Sequence, residues 1–114
     1  PGCVVLGGDV HASYIADLKP DWRSDRAPVV ATEFCGTSIT SNGWSHAKLA
    51  ATLPDHPHIR YGRGDDHGYM AFDVTPKQMT VRVRSVDDVL RADSGIHTQA
   101  SLVVESGRAG AQTA

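Results

Sequence analysis

No apolar run in this sequence approaches the roughly 18 residues that a membrane-spanning helix requires, so no segment of it reads as a transmembrane span. There is no basic excess either. Eleven Lys and Arg stand against 13 Asp and Glu, for a net charge of −2 with His neutral. Nothing in that balance suggests a nucleic-acid partner. Lysine is scarce, with Lys19, Lys48 and Lys77 against a richer supply of Arg, Asp, Ala, Val and Gly. The chain opens Pro1-Gly2-Cys3, with neither an initiator Met nor a secretory leader, which says little about export because processing removes such segments. Two cysteines, Cys3 and Cys35, permit one disulfide but not a disulfide scaffold. What remains is 114 residues, 40% hydrophobic and 21% charged, enough for one small folded unit and too apolar for a disordered one.

Val4-Val5-Leu6 is a β-branched run that is apolar on both faces and stops at Gly7-Gly8, the pattern of a central buried strand. Asp9 to Ser13 then leaves the sheet. Asp17 to Ala27 is polar, with Lys19-Pro20-Asp21 as a loop signal. Pro28 to Cys35 forms a second strand ended by Gly36, and Trp44 to Leu53 a short helix stopped by Pro54, after which Pro57 keeps the chain irregular. Tyr69 to Val74 and Met79 to Arg84 alternate apolar and polar residues around Thr75-Pro76-Lys77-Gln78, which makes a hairpin with one buried and one wet face. Ala100 to Glu105 is one more strand, and 107–114 a small-residue tail expected to fray. No repeat and no linker divides the chain. A core strand that begins at residue 3 implies further strands beside it, from another segment or a companion chain.

Gly8-Asp9-Val10-His11 follows directly from the first strand, where parallel α/β sheets place their sites. Two residues apart in extended chain, Asp9 and His11 would point to one side. A carboxylate and an imidazole converging there suit Fe, Mn or Zn. The plainer alternative is a loop-capping Asp9 and an exposed His11, since Asp-x-His is a common spacing. Other candidates read as structural. Glu33 bonds loop backbone or orients a ligand. His46, His56 and His58 sit in a polar stretch interrupted by Pro57, and Gly62 to Gly68 lacks the strand and helix of a phosphate loop. Asp65-Asp66 reads as a surface loop rather than a calcium site, Arg82 and Arg84 as the wet face of the hairpin, and Cys3 and Cys35 as structural thiols.

Val4-Val5-Leu6-Gly7-Gly8-Asp9-Val10-His11-Ala12-Ser13 resembles the last metal-site segment of the family of PhoD-type alkaline phosphatases, phosphodiesterases and secreted phospholipases D. Ala31 to Ser41 is similar to the segment that follows it there, and His67-Gly68-Tyr69 with its hairpin to the next. The three matches stand in order and cover most of residues 4 to 105. The resemblance implies an α/β fold: residues 1–106 as the C-terminal portion of a four-layer α/β/β/α metallophosphoesterase core, with a β-hairpin, incomplete without the rest of the enzyme. It implies an exported, extracellular enzyme with a multinuclear metal site of Fe with Ca, Mn or Zn. Asp9 would be a metal ligand, His11 a ligand or the catalytic group at the phosphate, and Tyr14 a wall of the substrate pocket.

The remaining ligands would come from a companion chain or an N-terminal segment, so this chain would be inactive alone. The substrate would be a phosphodiester of phospholipid type, Tyr14 and Trp22 meeting a choline-like ammonium through cation–π contact. The alternatives are a secreted alkaline phosphatase acting on phosphomonoesters, or a non-catalytic accessory domain. In an exported protein Cys3 and Cys35 would form a disulfide if their strands ran antiparallel, contributing about 3 to 4 kcal/mol by loop closure. Parallel strands would hold them apart.

Overall fold

The computed structural model describes residues 2–114 and contains two four-stranded sheets packed face to face, with one short helix on the outside of the first. The first sheet holds β1 (Cys3–Gly7), β2 (Ser13–Leu18), β3 (Ala31–Cys35) and β4 (Ile59–Arg63), in the order β1-β3-β2-β4. The second is the antiparallel series β5 (Gly68–Val74), β6 (Gln78–Val86), β7 (Ile96–Glu105) and β8 (Gln112–Thr113). The fold is mixed α/β with a β-hairpin, as the sequence implies.

Alternation decides which side chains fill the space between the sheets. Ile15, Phe34, Val81, Val83 and Val104 meet there, each no more than 5% exposed, and Val4, Met70 and Phe72 pack against them. Phe34 and Phe72 make an edge-to-face contact across the two sheets, with centroids 5.6 Å apart. The outer face of the first sheet carries Tyr14, Ala16, Glu33 and Cys35. The helix α1 (His46–Thr52) packs on β4 with Leu49 buried, and runs into a 3-10 turn, Leu53–Asp55, that accommodates Pro54.

The hairpin forms as its alternation demands, with Val74 opposite Met79 and the Thr75 hydroxyl accepting from the Gln78 amide at 3.1 Å. Several expectations are corrected. β1 is not a central strand buried on both faces: it lies at the edge of its sheet, with Val5 43% exposed on the outer face and Leu6 62% exposed on the inner face, where it lines an open pocket between the sheets. β2 and β4 occupy stretches expected to be irregular. In β2 the core-facing positions are Ile15 and the carboxylate Asp17, which breaks the apolar alternation. In β4, an edge strand, arginines flank Tyr61-Gly62. Residues 107–114, expected to fray, include β8, which pairs with Leu102 and Val103 and buries Ala111 to 1% exposure.

The cysteine expectation also resolves on strand direction. β1 and β3 run parallel, with Cys3 opposite Ala31 and Gly7 opposite Cys35, so the two thiols sit at opposite strand ends and both are free. There is no disulfide.

Asp17 is held in this core by a charged partner: Arg60 Nη1 on β4 donates to Asp17 Oδ2 at 3.1 Å, while Oδ1 and the neighbouring Thr32 hydroxyl are buried without a partner. Removing the guanidinium strands a carboxylate that is 7% exposed. Arg60→Ala is therefore expected to lower unfolding stability by about 1–3 kcal/mol, the cost of an unsatisfied buried acceptor. Chemical denaturation measures it, and a change below about 0.5 kcal/mol would show the pair to be dispensable.

Candidate active site

The site lies where β1 and β3 end side by side. Because β3 is inserted between β1 and β2, the chain leaving β1 at Gly7 must cross over the end of β3 to enter β2 at Ser13. Residues 8–12 make that crossing, at the carboxyl ends of two parallel strands, where open α/β sheets bind ligands. The Gly36 amide donates to the Gly7 carbonyl at 3.1 Å and the Cys35 thiol to the Gly8 carbonyl at 3.8 Å, which tie the crossing to the strand below.

Within it, Asp9 and His11 both adopt positive φ, 74° and 62°. The extended Asp-x-His geometry expected from the spacing is therefore replaced by a tight left-handed turn. Asp and His tolerate that region better than most residues but still carry a cost of about 1 kcal/mol or more each. His11 Nδ1 lies 2.7 Å from the backbone oxygen of Asn42. A carbonyl only accepts, so Nδ1 bears a proton and donates, and in the neutral ring the lone pair is on Nε2.

Asp9 and His11 line one end of a pocket of about 390 Å³, together with Gly8, Thr37 and Ser38; Leu6, Phe34, Ile39, Met70 and Phe72 form its apolar wall. At the rim, Ser38 Oγ is 3.4 Å from His67 Nδ1 and bonds the Ser41 carbonyl. Tyr14, expected in this pocket, is not there. As an alternate residue of β2 it points to the outer face, where it lines a separate pocket of about 230 Å³ with Glu33, Cys35 and His58. Burial, with the neighbouring Cys35, pushes the Tyr14 phenol up, and burial and Glu33 push the Cys35 thiol up, so both stay protonated at neutral pH.

Trp22 stacks with His56 and His58 at 5.7 and 5.0 Å, while the His46 imidazole accepts from the Gly64 amide at 3.1 Å. The three histidines thus form no cluster. Asp65 joins a backbone turn with φ of 66°, Asp66 pairs with Arg63 and Gln99, and Arg82 with Asp73.

A family model described as PhoD-like phosphatase matches residues 2–83, which include the whole crossing and the pocket. The chain belongs to the PhoD-like phosphatase family. It is 38% identical over 110 residues to alkaline phosphatase D of Bacillus subtilis (strain 168), an alignment that spans 94% of this chain and 19% of that protein. It also superposes on a solved structure titled "Structure of PhoD" with a TM-score of 0.84 and 34% identity, covering 96% of this chain and 22% of the other. The chain thus spans about a fifth of the length of these relatives.

As a PhoD-like chain it offers a metal a partial donor set. The exposed Asp9 carboxylate and the free Nε2 of His11 are hard and borderline donors at one pocket end, chemically suited to Fe, Mn or Zn. No group of three His, Cys, Asp or Glu side chains among the described residues comes close enough to enclose an ion. Sequence reasoning missed the residues that hold this turn, Asn42 above all, because its contribution is a backbone oxygen and leaves no signature in side-chain type.

Proposed function

We propose that this chain supplies Asp9 and His11 to the metal site of a phosphoester hydrolase, and works with the remainder of a larger exported enzyme. The observation that supports it most directly is His11 held through Nδ1 on the Asn42 carbonyl, lining with the exposed Asp9 a pocket formed at parallel strand ends in a PhoD-like chain. The ions, iron with calcium, manganese or zinc, would polarise the phosphoryl group and activate a water.

The chain's own part is narrower. Asp9 supplies anionic charge that offsets the cations. His11 donates from Nδ1 to the Asn42 carbonyl, which orients the ring: neutral, it offers the Nε2 lone pair to a metal, whereas a contact to a phosphoryl oxygen would require the protonated ring with Nε2–H as donor. The other ligands would come from an N-terminal segment or a companion chain. The unpaired edge of β1 and the exposure of Val5 and Leu6 support such a neighbour.

The proposed substrate is a phosphodiester of phospholipid type. The support for it is the apolar wall of Leu6, Ile39, Met70 and Phe72 next to the polar end of the pocket, which suits an ester with a large apolar group better than a small monoester. The name of the Bacillus subtilis relative, an alkaline phosphatase, supports the monoester reading instead. Comparing kcat/KM of the whole enzyme for phosphatidylcholine, bis-p-nitrophenyl phosphate and p-nitrophenyl phosphate separates the two. Diesters are expected to lead by about tenfold or more, a difference of ~1.4 kcal/mol in transition-state binding. A lead of that size for the monoester would replace the phospholipase reading with an alkaline phosphatase.

A further inference from the structure

The left-handed turn at Asp9–His11 does not hold itself. Three contacts from one neighbouring segment, Asn42-Gly43-Trp44, close on it. The Asn42 carbonyl accepts from His11 Nδ1 at 2.7 Å. Trp44 Nε1 donates to the Val10 carbonyl at 3.1 Å, taking up an oxygen in the middle of the turn. Between them Gly43 lies so close that a Cβ there would overlap the His11 carbonyl oxygen and sit 3.1 Å from the His11 Cβ.

The segment is anchored in turn from behind. The Asp65 amide donates to the Trp44 carbonyl at 2.9 Å, and a Cβ on Gly64 would overlap that same carbonyl oxygen. The Gly64 amide donates to His46 Nδ1 at 3.1 Å, which fixes the start of α1. Two glycines therefore mark the two close approaches, one on each side of Trp44, and a continuous run of contacts leads from the end of β4 to the imidazole of His11.

We infer that Asn42, Gly43 and Trp44 are positioning residues that set the tautomer of His11 and hold Asp9 and His11 in their left-handed turn. None of the three lines the pocket, so they act only through the residues they hold. The inference rests on the proposed role of His11 for its functional consequence, but the tautomer itself is a property of the metal-free protein. Two hydrogen bonds and one steric approach thus constrain the Val10 carbonyl, the His11 carbonyl and the His11 ring. Without them, residues with positive φ relax toward the ordinary regions, carrying both side chains with them. Indole exposure fits this reading: Trp44 is 54% exposed, so core packing does not account for its place, whereas its N–H does.

The test is read in the enzyme that contains this chain, labelled with 15N-histidine, metal-free and at alkaline pH. The wild-type His11 is expected as the Nδ1–H tautomer, assigned by its loss in His11→Gln. Trp44→Phe keeps an aromatic ring without the N–H, and Gly43→Ala forces the approach apart; both are expected to shift His11 toward a tautomer mixture. After reloading with metal, Gly43→Ala is expected to lose about 10- to 100-fold in kcat, the range for groups that orient a ligand. Trp44→Phe is expected to lose about 3- to 10-fold, as one hydrogen bond implies. KM and the thermal midpoint are expected to change little in Trp44→Phe, which serves alone if Gly43→Ala folds poorly. Leu90→Ala, at a 91% exposed position between β6 and β7, is expected to leave tautomer and kcat unchanged. An Nε2–H tautomer in the wild type, or a wild-type tautomer and kcat in Trp44→Phe, would overturn the inference. Because the tautomer is read without metal or substrate, it stands or falls separately from the phosphoester chemistry.

Discussion

Asp9→Asn is expected to lower kcat/KM of the whole enzyme by about a thousandfold or more. The substitution keeps the size, polarity and left-handed preference of the residue at φ 74°, so the turn survives. What it removes is an anionic donor at the pocket end that also presents His11 Nε2. Losing a ligand charge forfeits several kcal/mol of charge stabilisation at the phosphoryl centre, and each 1.36 kcal/mol is tenfold in rate, so ~4 kcal/mol gives the thousandfold figure. Metal analysis should show ions lost or weakened alongside, with circular dichroism unchanged. His11→Ala is expected to fall in the same range, and full metal content with near-normal turnover in Asp9→Asn would refute the assignment and leave the chain an accessory domain.

The largest stability effect is expected from Phe34→Ala, about 3–5 kcal/mol. Phe34 is 1% exposed, stands between the two sheets, and meets Phe72 edge to face. It is also the residue before Cys35 at the end of β3, directly beneath the crossing, and its ring lines the Asp9–His11 pocket. Truncation opens a cavity that neither sheet can close without moving the other. A urea midpoint displaced by that amount at unchanged slope would establish the core as drawn. Phe34→Leu, which restores most of the volume, is expected to cost about 1.5 kcal/mol or less. A loss below about 1 kcal/mol for Phe34→Ala would mean that the two sheets are not held together here.

The hairpin of β5 and β6 was legible residue by residue, because a two-residue period needs only its own sequence to be recognised and Thr75 supplies the turn locally. β3 was legible within the expected 28–35, ending at Gly36 as read but starting only at Ala31, and β7 in its C-terminal half. β2 and β4 were not. Asp17 stands in a core position only because Arg60, 43 residues away, meets it, and an edge strand such as β4 tolerates arginines that a central one would not. The tail gave no signal for β8, since two residues become a strand only when β7 offers them a partner edge.

For the site, the sequence by itself determined that Asp9 and His11 follow a glycine-ended strand, and its family resemblance implied a metal-site role for the pair. It could not determine their geometry. Both residues were expected in extended chain, and only the insertion of β3 between β1 and β2 forces the crossing that bends them into positive φ. Nor could it place Tyr14, whose position in β2 turns it to the opposite face from the pocket. Strand order and direction likewise decided the cysteines, since the parallel pairing of β1 and β3 puts the thiols at opposite ends whatever their spacing in the chain. The physical reason is common to all of these. Periodicity and residue type report on contacts within a few residues, whereas the tautomer of His11, the partner of Asp17 and the clasp of Asn42-Gly43-Trp44 depend on atoms brought from 31 to 43 residues away, and those meet only when the sheets close on their shared core.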